Sequence, residues 1–230
     1  MNAVDVKAKA GRVATERAEV LVLGHYEGEP KLQGDAAAVD KALDGGLREV
    51  LKSGEFKGTW NQTVLLHTQG RLPAKRVLLI GLGKKKDARL DTIRQALGTV
   101  AKKVRQAGAR SFSVPLLGPL PQTSAIQIAQ AMVEGAILGS YQFTAYRSND
   151  TQNEVKTLER LTVLAPRAEK LRDVQQGIGQ GRASAEATAF VRDLCNHPAN
   201  VMTPSRIAAE ARKIGKERGV RVKVLEQRDV

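Results

Sequence analysis

Short apolar runs of strand type alternate with helical stripes along most of this 230-residue chain, and that alternation is what most restricts its fold. Val4 and Val6 alternate with polar neighbours. Glu19–His25 (EVLVLGH) is apolar enough for a central strand, and Thr63–His67, Arg76–Ile80, Ser111–Val114 and Leu161–Leu164 follow. Between them lie helical patterns. One runs from Asp35 to Leu51 with a break at Gly45 and Gly46, which predicts two short helices. A second places Ile93, Leu97, Val100 and Val104 on one stripe and stops at Gly108. A third carries Ile126, Ala129, Val133 and Ile137, with Thr123 or Ser124 as its cap. Strands interleaved with helices predict an α/β domain around a mixed sheet. The short polar link between Thr63–His67 and Arg76–Ile80, containing Gly70 and Pro73, predicts a hairpin.

The last third is helical in pattern, through Leu171, Val174, Ile178, Ala185, Ala189 and Leu194. Gly177, Gly179 and Gly181 interrupt it, each costing a helix interior up to about 1 kcal/mol against alanine. Propensity alone would break the helix there. Asn196 and Pro198 end it, because the residue before a proline is pushed out of the α region. Thr203 then offers an N-cap oxygen and Pro204 suits the first helical position. Ile207, Ala208, Ala211 and Ile214 share one face, and Gly219 suits the C-terminal stop. Val220, Val222 and Val224 alternate with charged residues, which predicts a half-buried strand.

The run RDLCNHPANVMTPSRIAAEA resembles the junction segment of the M17 leucine aminopeptidase family. The matching residues are Arg192, Asp193, Leu194, Asn196, Pro198, Asn200, Thr203 and Pro204. The resemblance implies a macro-domain-like three-layer α/β fold over residues 1–165, with helices flanking a mixed sheet. It further implies a long linker helix over 166–198, unbroken by its glycines, and the first helix and strand of a truncated peptidase domain over 199–230. By the same resemblance the parent enzyme is a cytoplasmic homohexamer. It removes amino-terminal residues from peptides with two divalent ions, manganese or zinc. This portion would contribute assembly and regulation, with its own catalytic domain, the other subunits and peptide substrates as partners.

The chemistry of that family is not found in this chain. A two-metal site needs several carboxylates, often with a lysine, converging on ions a few ångströms apart. The Asn-Thr-Asp-Ala-Glu-Gly-Arg run that supplies ligands and a catalytic arginine in the family is missing. No catalytic or metal-ligating residue is assigned, and the chain alone is expected to be inactive. No His-Glu-x-x-His or Gly-x-Ser-x-Gly run is present either. His25 and His67 end apolar strands, where a hydrogen-bonded structural histidine is expected, and His197 lies in the junction turn. Cys195 is the only cysteine, which excludes an internal disulfide and fits a reducing compartment.

The net charge of +13 is concentrated. Residues 61–120 carry 12 basic and 2 acidic side chains, whereas residues 1–60 and 121–180 are close to neutral. Such a block suits an anionic partner, or an acidic face on another domain or subunit. For duplex DNA the candidate phosphate contacts are Lys84, Lys85, Lys86, Arg94, Lys102 and Arg105. Arg94 and Arg105 are expected on one exposed flank of their helix. Only 3% of residues are aromatic, which disfavours stacking on single strands. A third function is binding of a nucleotide such as ADP-ribose, resting on fold analogy and on Gly81-Leu82-Gly83, half of a phosphate-loop pattern. No apolar run is long enough to span a bilayer, and the first residues lack the apolar middle of a secretory signal.

Overall fold

The computed structural model describes residues 4–118, 120–148, 156–165 and 167–225. They form two compact units, Met1–Glu186 and Ala187–Val230. The first unit is a three-layer sandwich around six strands: β1 (Asp5–Ala10), β2 (Val20–His25), β3 (Thr63–His67), β4 (Arg76–Gly81), β5 (Ser111–Pro115) and β6 (Arg160–Ala165). Their spatial order is β1-β6-β5-β2-β4-β3. All neighbours run parallel except β3 against β4, the expected hairpin, with Leu65 opposite Leu78.

Strand β2 shows why the sheet is buried on both faces. Its residues alternate between two cores: Val20 and Val22 join one, Leu21 and Leu23 the other. In β4, Leu78 and Ile80 face the first core while Val77 and Leu79 face the second. Helices α1 (Gly34–Ala42) and α2 (Gly46–Lys52) close the second core with Val39 and Leu47, joined by Leu43 at the C-cap of α1. The break between them is set by Asp44 and Gly45 in the left-handed region, at φ 51° and 87°.

The first core is covered by α3 (Leu90–Gln106) and α4 (Ala125–Ser140), together with the first part of α5 (Leu171–Asn196). Ser124 is the cap of α4. Its Oγ accepts from Gln127 N, and the Gln127 side chain accepts in return from Ser124 N. These helices meet through glycine. A β-carbon at Gly135 would collide with the Arg94 carbonyl, and one at Gly139 with the backbone of Gly98. On α5, a β-carbon at Gly177 would strike the Ile126 carbonyl, and at Gly181 it would lie 2.6 Å from the Gln130 carbonyl. The helix therefore runs unbroken through its glycines, because two of the three let it approach α4 closely.

In the second unit, α6 (Pro204–Arg218) begins where Thr203 Oγ1 accepts from Arg206 N and ends at Gly219, with φ 68°. One expectation needs correction. Val220, Val222 and Val224 belong to no strand among the described residues. A strand needs a hydrogen-bonded neighbour, and here the segment instead turns back on α6, with Val220 N donating to Gly215 O and Val222 packed beside Gly215.

Candidate functional site

The turn after β4 carries the densest positive charge. Gly81 is the last residue of β4, and a side chain there would run into the Thr59 carbonyl. Gly83 follows at φ 69°. The backbone N–H groups of its first three residues have partners: Gly81 donates to Gln62 O, Leu82 to His25 O and Gly83 to Gly58 O. The N–H groups of these three residues are engaged, and Gly81 and Gly83 serve the close approach of the 58–60 loop.

Lys84, Lys85 and Lys86 lie together and exposed on the short 3-10 turn that follows. They differ in what they touch. Lys85 Nζ sits 3.0 Å from a Glu29 carboxylate oxygen and 5.7 Å from the Tyr26 ring centroid. The Glu29 hydrogen bond and charge raise its pKa. Lys84 and Lys86 have no ion pair among the described residues. Nor has Lys102, exposed on α3.

Arg94 and Arg105 are half-buried, not on an open flank. Arg94 Nε donates to Glu134 on α4 at 2.8 Å, and its Nη1 donates to Asp91 at 3.0 Å. Burial opposes the Arg94 charge, but the two carboxylates outweigh it and hold its pKa above the ordinary value. Arg105 Nη1 reaches the Ser140 carbonyl at 3.4 Å. Burial, then the nearby charge of Arg147, lowers its pKa. The two arginines are separated by about 16 Å along α3. Of the six candidates the structure thus brings together the three lysines and sets Arg94 apart as a structural ion pair.

Two partners escaped the sequence reading. Glu134 is the one charged residue of α4 and is 6% exposed, and such isolation in an apolar helix signals a buried partner. Glu29 carried no comparable signal. Beside it, His25 Nε2 donates to the Glu29 carbonyl at 3.1 Å, on the wall of an open cavity of about 430 Å³ that Arg48, Lys52 and Phe56 also line. Among the described residues no three His, Cys, Asp or Glu side chains form a group that could hold a metal ion.

Residues 22–150 match the family model for the cytosol aminopeptidase family, N-terminal domain. The chain belongs to the M17 cytosol aminopeptidase family. A probable cytosol aminopeptidase of Alkaliphilus metalliredigens is 33% identical over 220 residues, which are 95% of this chain and 44% of that protein. The chain spans less than half the length of the curated family relatives it matches. Among solved structures, the bottromycin maturation enzyme BotP in complex with Mn is 27% identical, at TM-score 0.65 over 87% of this chain and 37% of BotP. A tomato leucine aminopeptidase variant shares the fold at TM-score 0.79, with 24% identity over 94% of this chain and 42% of that one. An Oceanobacillus iheyensis macrodomain with MES bound shares it at TM-score 0.56 and 12% identity, over 75% of this chain and 89% of that one. The first unit is thus macro-domain-like, as the resemblance implied.

Proposed function

We propose that this chain is the assembly and regulatory portion of a metal-dependent leucyl aminopeptidase that removes amino-terminal residues from peptides. The observation that carries the reading is the match of residues 22–150 to the N-terminal domain of the family. In this reading residues 1–165 form the macro-like domain, 166–198 the linker helix and 199–230 the start of the catalytic domain. The parent enzyme is a cytoplasmic homohexamer, and its two manganese or zinc ions are held by the catalytic domain. The missing ligand run and the lack of a metal-holding cluster among the described residues support an inactive isolated chain. No helix of the described residues is long and apolar enough to cross a membrane. The test is hydrolysis of leucine anilide with added manganese or zinc. The expected result is no turnover by this chain and full turnover by an enzyme that joins it to the catalytic domain. Metal-dependent turnover by the chain alone overturns the reading.

A second reading, duplex DNA binding, is favoured by the three exposed lysines Lys84, Lys86 and Lys102, which no carboxylate neutralises among the described residues. A mobility shift with a duplex at low salt tests it, and its absence ends it.

A further inference from the structure

We propose that the free edge of β3 docks a second copy of this chain, the two β3 strands pairing antiparallel about a twofold axis at Leu65. Strand β3 is last in the sheet. Gly81 N donates to Gln62 O at one end of the hairpin and Thr68 N donates to Lys75 O at the other. Antiparallel ladders alternate, so Val64 and Leu66 turn their backbone groups toward β4. Thr63, Leu65 and His67 turn theirs outward, and they have no hydrogen-bond partner among the described residues.

The two edges of the sheet are treated differently. At β1, the exposed side chains of Lys7 and Lys9 flank the edge, and Arg182 Nη2 reaches the Val6 carbonyl at 3.4 Å. Lysines of this kind are how soluble sheets discourage edge pairing. Strand β3 has no such guard. From Gly58 to Gly70, thirteen residues carry no charged side chain, in a chain where 27% are charged. Leu65 is 36% exposed and Trp60 55%. Two copies each carrying +13 repel one another over most of their surface, and this neutral stretch is where they can approach at least cost.

The strand is also complementary to itself. With the axis at Leu65, that residue faces its own copy, and Thr63 faces His67. Every outward N–H and C=O of the three residues then finds a partner. The two Leu65 side chains meet on one face of the joined sheet. No like charges are opposed. The contact adds to the assembly role proposed above but does not depend on the peptidase reading.

Cross-linking tests the register. Residues opposite each other in a hydrogen-bonded pair have Cα atoms about 5.5 Å apart, within disulfide reach. In a Cys195→Ser background, Leu65→Cys is expected to give a covalent dimer of twice 24.9 kDa under mild oxidation. His67→Cys alone is expected to give none, since the two copies of that position are four residues out of register. Mixed chains carrying Thr63→Cys and His67→Cys should cross-link to each other. By sedimentation, the unmodified chain should be dimeric at micromolar concentration, and Leu65→Lys should weaken the dimer at least about tenfold with an unchanged circular dichroism spectrum. A monomer at every concentration overturns the proposal and leaves the peptidase reading standing. So does Leu65→Cys cross-linking no faster than His67→Cys.

Discussion

Arg94 on α3 and Glu134 on α4 form an ion pair at 2.8 Å, with the carboxylate buried between the helices and the guanidinium about one-third exposed. Gln130 Nε2 donates to the other carboxylate oxygen at 2.9 Å, so Glu134 has both oxygens occupied. Removing the arginine leaves a buried charge with only an amide for company. Arg94→Ala is expected to lower unfolding free energy by about 1–3 kcal/mol, read as a lower urea midpoint at unchanged slope. Asp91, exposed on the same helix, holds Arg94 from outside at 3.0 Å, and Asp91→Ala should cost less than about 1 kcal/mol.

The glycines of α5 separate two effects that act in opposite directions. Alanine favours helix over glycine by about 1 kcal/mol. At Gly179 an added methyl meets open space, so Gly179→Ala should stabilise the chain by about 0.5–1 kcal/mol. At Gly177 the same methyl collides with the Ile126 carbonyl, which belongs to the backbone of α4 and cannot swing away. Gly177→Ala should therefore destabilise by about 1–3 kcal/mol despite its better propensity. Thermal midpoints of the two variants should move in opposite directions. A stabilised Gly177→Ala would refute the close packing of α5 on α4.

Those glycines also mark the limit of what the chain shows by itself. The doubly apolar β2 was readable because a strand buried on both faces needs both alternations filled, and the stops at Gly45 and Gly108 were readable because the backbone there turns left-handed. A local reading of Gly177 and Gly181 sees only lost helix propensity. The benefit lies on another helix some fifty residues away in sequence. The same holds at the basic segment. Charge counting placed Arg94 and Lys86 in one group, but Arg94 is paired to Glu134, which is forty positions distant, and Lys86 has no ion pair among the described residues. The β-type alternation at Val220, Val222 and Val224 was legible and still produced no strand, since pattern supplies a face and not a partner.

His25 gives the fold a pH dependence. Burial at the end of β2 lowers its pKa below the ordinary 6.5, and the Glu29 carbonyl and charge only partly oppose that. The unfolded chain therefore binds a proton there more readily than the folded one, and stability rises with pH. The contribution is fully present above 6.5 and is lost as pH falls through 6.5 toward the lower folded value. The thermal midpoint is expected to drop between roughly pH 7 and pH 5, and His25→Gln should flatten part of that drop. An imidazole titration by NMR at or above 6.5 would remove the cause assigned here.

The DNA reading makes a distinction that charge alone does not. A lysine that neutralises a phosphate releases counterions, and removing one such lysine makes the slope of log K against log salt shallower by about 0.9. Lys84, Lys86 and Lys102 are exposed and without a carboxylate among the described residues, so their charge is available to a phosphate. The charge of Arg94 is already engaged by Glu134 and Asp91. If duplex DNA lies on this segment, changing the three lysines together to glutamine should weaken binding to all sequences alike and flatten the salt slope. Arg94→Gln should shift the urea midpoint and leave the salt slope where it was. The reverse pattern, with the slope set by Arg94 and indifferent to the lysines, would mean that the ion pair opens on binding and that the exposed turn does not meet the DNA.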